Sequence, residues 1–176
     1  SDTSSTLDLA AALLADTTTA TPHLTTIIAD SQSAGRGRLG RTCTAPDGQA
    51  LLASTIVSLP TSFPTEMLGW LVHACALSVR DALSPRLSPL GHTVSLKWPN
   101  DVLVDGERKI CGILAQLAPA SSPFTTSALV GYGINIAQDA DHLATPQATS
   151  LYAEGDTEAG ANPTSVSHTL LAQILT

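Results

Sequence analysis

Cysteine, lysine and aromatic residues are all scarce in this sequence of 176 residues, and it has no long hydrophobic run. The cysteines, Cys43, Cys75 and Cys111, are far apart and form no CxxC pair. Such an odd, sparse set argues against a disulfide framework or a thiolate zinc site and fits free thiols in a reducing cytosol. No apolar stretch approaches the ~20 residues of a membrane span. The opening Ser1-Asp2-Thr3-Ser4-Ser5-Thr6 lacks the basic-then-apolar order of a secretory leader. A cytoplasmic protein with no membrane partner is therefore expected.

Positive charge is also in short supply. Eight Lys and Arg stand against fifteen Asp and Glu, a net charge of −7. This acidic balance argues against a nucleic-acid partner. The cations that remain are concentrated: Arg36, Arg38 and Arg41 in one segment, and Lys97, Arg108 and Lys109 in another. Only Arg80 and Arg86 lie elsewhere. Cations spent in this way point to a small anionic ligand. With 43% hydrophobic and 13% charged residues, the composition is globular, and the length suits one domain over 1–176.

Thr6 is placed to cap a short helix bearing Leu9, Leu13 and Leu14, and Leu24–Ala29 reads as a strand. Asp30–Gln49 is rich in glycine and poor in large apolar residues, which predicts a long functional loop. Leu51–Leu59 alternates as a strand with one face in the core. The spacing of Met67, Leu68, Leu71, Val72, Cys75, Val79 and Leu83 predicts a central helix over Pro64–Leu83. Val94–Trp98 reads as a strand ended by Pro99. Val102–Val104, the Asp105-Gly106 turn and Lys109–Leu117 read as a hairpin. Ala128–Ile136 is a further strand interrupted by Gly131 and Gly133, residues 138–163 read as loop, and Thr164 or Ser165 opens a last helix reaching Leu175. Tight turns between the later strands imply antiparallel pairing, so an α+β fold is expected, with a mixed, mostly antiparallel sheet and helices on one face. That final helix runs to the end of the sequence, as in part of a longer protein.

Four segments carry chemistry. Gly35-Arg36-Gly37-Arg38-Leu39-Gly40-Arg41 combines close backbone approach with forked donors for phosphate or carboxylate. It is not a Walker or dinucleotide-binding pattern, and a solvated loop fits the same residues. Lys97-Trp98-Pro99-Asn100-Asp101 gathers a cation, an aromatic, an amide and a carboxylate at a strand end. There Asp101 could hold Mg²⁺, Asn100 could orient a phosphate or base and Lys97 could face phosphate, or Trp98 and Asp101 could be purely structural. Lys109 opens an apolar strand, Arg108-Lys109-Ile110-Cys111-Gly112-Ile113-Leu114, which could aim its amine into a pocket mouth. In Gly131-Tyr132-Gly133-Ile134-Asn135 the glycines allow close approach and end on an amide. No Ser–His–acid set emerges. His23, His73, His92, His142 and His168 have no metal-ligand spacing and read as structural.

In this order and spacing, GRGRLGR, KWPND, KICGIL and GYGIN resemble the biotin–protein ligase family of bacterial type, as does the early Ser5-Thr6 pair. The resemblance implies a fold related to class II aminoacyl-tRNA synthetases. It implies an ATP-dependent activation of biotin to biotinyl-5′-AMP and transfer to a lysine of a biotin carrier domain, with Mg²⁺ as a cofactor. By the same resemblance, Lys109 and Arg38 are the catalytic pair, and Lys109 bridges the biotin carboxylate and the α-phosphate. Ser5, Thr6, Gln32, Gly35, Arg36 and Lys109 bind biotin. Arg36, Arg38, Arg41, Lys97, Asn100, Asp101 and Asn135 bind ATP or the adenylate, Arg41 facing the pyrophosphate and Asp101 the metal.

The glycine-rich loop, residues 35–47, is expected to order over the intermediate and exclude water. The sequence departs from the family pattern at Leu7, Cys43 and Gln116. Neither the family's small C-terminal barrel nor its N-terminal DNA-binding motif is expected here; a homodimer is compatible with the sequence. A lipoate or octanoate ligase or transferase of the same fold, or an inactive module that binds biotin or adenylate, would share these features.

Overall fold

The computed structural model describes residues 2–16, 18, 20–40, 45–118 and 125–176. Asp105 and Gly106 both take positive φ, 50° and 73°, which reverses the chain in the manner Asp-Gly favours. Asp105 also accepts the Thr93 N–H at 2.8 Å. The turn folds β6 (Asp101–Val104) onto β7 (Arg108–Ala118).

Four further strands complete the sheet: β2 (Thr26–Ala29), β4 (Ala50–Pro60), β5 (Val94–Lys97) and β8 (Thr125–Asn135). The order is β2-β4-β8-β7-β6-β5 and every neighbouring pair is antiparallel. Among the described residues, parallel pairing is seen in a separate ribbon of β1 (Asp2–Thr3) and β3 (Ser31–Gln32), and in a bridge between Lys109 and Ala148. The expected α+β architecture and mostly antiparallel sheet are therefore present.

Alternate residues along the strands face opposite sides. Leu51, Ala53, Val130, Tyr132, Ile134 and Ile113 belong to the main core, with Val79, Leu83 and Leu87 of α2 (Leu68–Leu87) and Val166 and Leu170 of α4 (Pro163–Ile174). Leu7 and Ala10 of α1 (Thr6–Ala15) form a second core with Ile56, Ala118 and Leu129 on the other side of the sheet. The helices on one face are thus α2 and α4, and α1 lies on the opposite face. β4 is accordingly covered on both sides along most of its length, where its alternation had predicted one buried face.

Helix α2 continues to Leu87, beyond the expected end at Leu83, with Pro85 inside it. Proline removes one backbone donor, and tertiary contacts offset the loss. Leu83 and Leu87 are fully buried, each burial contributing about 1.5–3 kcal/mol. Arg86 grips Asp156 at 2.7 and 3.0 Å, and Glu158 at 3.0 Å. Asp156 also caps α3 (Thr157–Ala161), a short helix within the stretch expected to be loop. Among the described residues no helix is long and apolar enough to cross a membrane.

Candidate active site

The face of the sheet that carries α1 has a floor built on glycine. Lys97 pairs with Asp101, Asp101 with Gly112, Gly112 with Gly133 and Gly133 with Leu52, one row across five strands. The next row joins Ser54, Gly131 and Leu114. Glycine at the centre of both rows leaves space above the backbone. Leu7 fills it over Gly131, where an added Cβ would meet the leucine side chain at 3.0–3.2 Å.

Lys109 fills it over Gly112. In an unbroken strand, residues three apart face opposite sides. Here Val102 pairs with Cys111 and Leu103 with Lys109, so Ile110 is an extra residue, a β-bulge. Ile110 turns into the main core beside Cys111, and Lys109 swings over Gly112. A Cβ on Gly112 would lie 3.0 Å from Lys109 Nζ.

Lys109 Nζ is 2.6 Å from Asp101 Oδ1. The contact is an ion pair, and this buried oxygen accepts no hydrogen bond among the described residues. Next to Asp101, Asn100 donates Nδ2–H to the Ile113 carbonyl at 2.8 Å, which aims its Oδ1 outward to accept from Arg38 Nη1 at 3.3 Å. Arg38, Asn100, Asp101 and Lys109 thus form a continuous line along one side of the floor.

The other side is polar and uncharged. Gln32 Oε1 accepts from Thr6 N–H at 2.8 Å and Thr6 Oγ1 at 3.1 Å. Ser54 Oγ donates to Thr6 Oγ1 at 2.8 Å. Ser5 Oγ is buried at the head of α1 with no partner among the described residues, an unspent group of the kind that awaits a ligand or water. Ser5, not Thr6, occupies the cap position, and its side chain makes no capping bond. Strand spacing separates the Ser54 and Lys109 sides by about 10 Å.

Other sequence-predicted residues are engaged differently. Arg36 binds Asp8 of α1, and Gly35 is buried beside it in the chain. Lys97 is exposed at the end of the row. Asn135 bridges structure, donating to the Thr149 carbonyl at 2.8 Å and accepting from Gln138 at 3.1 Å. Arg41 and Cys43 lie outside the described residues, as does part of the expected 35–47 lid. Gln116 is half-buried on β7.

Arg108 leaves the anion-binding group altogether. It holds Glu154 at 2.6 and 3.0 Å and Asp105 at 2.7 Å. His92, Asp105 and Glu154 could converge on a metal ion, but the Arg108 guanidinium already occupies the charge between the two acids. Hydrogen bonds from Thr93, His92 and Arg108 hold the Asp105 carboxyl below its usual range. Burial works to raise Glu154, yet the Arg108 and Thr149 hydrogen bonds and nearby positive charge bring it below its usual range. Sequence reasoning missed Ser54, the Asp8 pairing and the bulge. The adjacent apolar Ile110-Cys111 is the one local sign of the bulge.

The family model described as the biotin/lipoate A/B protein ligase family matches residues 3–135, and the chain belongs to that family. Within it, the chain is 38% identical over 125 residues to the biotin--[acetyl-CoA-carboxylase] ligase of Mycobacterium tuberculosis, a match taking in 71% of this chain and 44% of that one. The chain therefore spans less than half of that relative's length.

Biotin protein ligase from Leishmania major, solved in complex with biotin, superposes with a TM-score of 0.71 at 24% identity, covering 99% of this chain and 71% of that chain. A biotin protein ligase mutant from Aquifex aeolicus in complex with biotin gives 0.66 at 27% identity, covering 98% and 65%. The fold is that of the biotin protein ligases.

Proposed function

We propose that this chain joins biotin to ATP as biotinyl-5′-adenylate and passes the biotinyl group to a lysine of a biotin carrier domain. A biotin carboxylate oxygen attacks the α-phosphorus and pyrophosphate leaves. The carrier lysine amine then attacks the acyl carbon, and AMP leaves with the bonding pair while the amine gives up a proton.

The arrangement that carries this reading is the ammonium of Lys109 over the glycine floor, in line with Arg38 and across from Ser5, Thr6 and Gln32. A carboxylate and a triphosphate repel each other. Fixed cations on one side of a shared floor offset that repulsion and orient the pair, and no side-chain nucleophile is required. Ser5, Thr6 and Gln32 suit the neutral hydrogen-bonding ring of biotin, and the floor suits its aliphatic chain. Asn100 and Lys97 border the nucleotide side, Arg36 and Gly35 the glycine-rich loop, and Asn135 supports the nucleotide side from the end of β8. Arg41 completes the assignment toward pyrophosphate.

Asp101 offers one carboxylate, whose Oδ1 already faces Lys109. That donor set fits a magnesium ion carried in on the nucleotide's phosphates, with Asp101 supplying one oxygen, and not an all-protein cage. Such an ion would draw off triphosphate charge.

Biotin-dependent ATP–pyrophosphate exchange tests the proposal. Exchange stimulated by biotin is expected. Exchange stimulated by lipoate alone would reassign the substrate, a reading the family's scope keeps in view. Ligand binding without exchange would make the chain a binding module.

A further inference from the structure

On the side away from β6, where Lys109 pairs with Leu103, its backbone has no partner in β8, since the β7–β8 register begins at Cys111. Two buried-side peptide groups then need other partners. They find them in the segment after β8: Lys109 N–H donates to the Gln147 carbonyl at 2.7 Å, and Thr149 N–H donates to the Lys109 carbonyl at 2.8 Å. Thr149 is itself almost fully buried, and each of its polar groups is used. Its carbonyl accepts from Asn135 at 2.8 Å, and its hydroxyl donates to Glu154 Oε1 at 2.6 Å. Glu154, with a side chain only 7% exposed, is gripped through two oxygens by Arg108, the residue before Lys109.

The geometry points to Thr149 and the Arg108–Glu154 pair as positioning residues for Lys109. They form a closed bracket in which the chain leaves Lys109, passes through Arg108 to Glu154, and returns through Thr149 to the Lys109 carbonyl. None of the three reaches the floor. Their role is to fix the backbone from which a long, otherwise free ammonium side chain is aimed. Such a side chain gains catalytic value only if its origin is fixed, because misplacement of about 1 Å can cost ~100-fold in rate.

The inference rests on the proposed reaction for its kinetic part, and its structural part can be read separately. Thr149→Val keeps the shape and loses the hydroxyl; Thr149→Ser keeps the hydroxyl. Glu154→Gln serves as a second variant that keeps the side-chain size while removing the charge. Amide hydrogen exchange at Lys109 and Thr149 in the whole chain, together with kcat and KM for biotin-dependent pyrophosphate exchange, forms the experiment.

Expected for Thr149→Val and Glu154→Gln is faster exchange at those two amides, with a roughly ten- to hundredfold fall in kcat and little change in KM for biotin. Thr149→Ser should restore both to within about twofold. Unchanged exchange at Lys109 in both loosened variants would overturn the bracket, as would a serine variant that falls as far as the valine. A wild-type chain silent with biotin and lipoate would overturn the reaction instead, and the amide exchange would still decide the bracket.

Discussion

Gly112→Ala places a single methyl group under the Lys109 ammonium. The new Cβ would stand 3.0 Å from Nζ, 3.2 Å from Cε and 3.8 Å from Asp101 Oδ1. Relief to an ordinary contact near 3.4 Å moves the ammonium by a few tenths of an ångström. The 2.6 Å contact with Asp101 must stretch or turn. The stability cost is small, because the lysine side chain is 45% exposed and ends a flexible stem. Partly exposed ion pairs contribute about 0–1 kcal/mol, and alanine regains about 0.5–1 kcal/mol of chain entropy over glycine. The two effects nearly cancel. If about 1 Å of misplacement can cost ~100-fold, a few tenths should cost on the order of fivefold to tenfold. Pyrophosphate exchange beside a thermal melt separates the two quantities. A lowered kcat at an unchanged melting temperature is expected. Wild-type kcat would show that the seat of Lys109 over Gly112 is not the productive one, and a large fall in melting temperature would make Gly112 a packing residue.

Gly131→Ala should behave in the opposite way. Its Cβ meets three atoms of buried Leu7 at 3.0–3.2 Å, and overpacking typically costs about 1–3 kcal/mol, read as a lowered denaturation midpoint. Arg38→Glu should cut adenylate formation at least ~100-fold, with stability within about 0.5 kcal/mol, because the residue is exposed and its hydrogen bond among the described residues is to Asn100; a collapse of the fold would contradict it. Asp105 and Glu154 titrate below their ordinary values of 3.8 and 4.5 in the folded state. Their stabilisation is therefore present above those values and lost as pH falls through the folded ones. Arg108→Met should lower the melting temperature at neutral pH and flatten its decline between about pH 5 and 3; a parallel decline would refute the assignment.

Much of this was legible in the sequence because it is written locally. The Asp105-Gly106 turn fixes a hairpin without outside help, and glycines inside β8 announce a bare surface before any partner is known. The KWPND and KICGIL segments meet because register pairs Asp101 with Gly112. What was hidden depends on distant partners. Helix α2 passes Pro85 because Arg86 finds Asp156, seventy residues on. Arg108 looked like a ligand cation until Glu154, also remote in sequence, claimed it. Ser54 carries no local signature and is significant only because α1 brings Thr6 above it. The placement of α1 on the far face was likewise unreadable, since its apolar residues say that it packs and not against which side.

The bulge at Ile110 makes the location of Lys109 a matter of counting. Threading that isoleucine into regular alternation, with no bulge, would leave every nearby functional residue in the sequence, yet parity would send the ammonium toward α2 and its oily surroundings. An alignment that slides across this position without a gap would look conservative on paper and describe a different molecule. Anyone transplanting the segment into another scaffold must carry the irregularity along with the lysine.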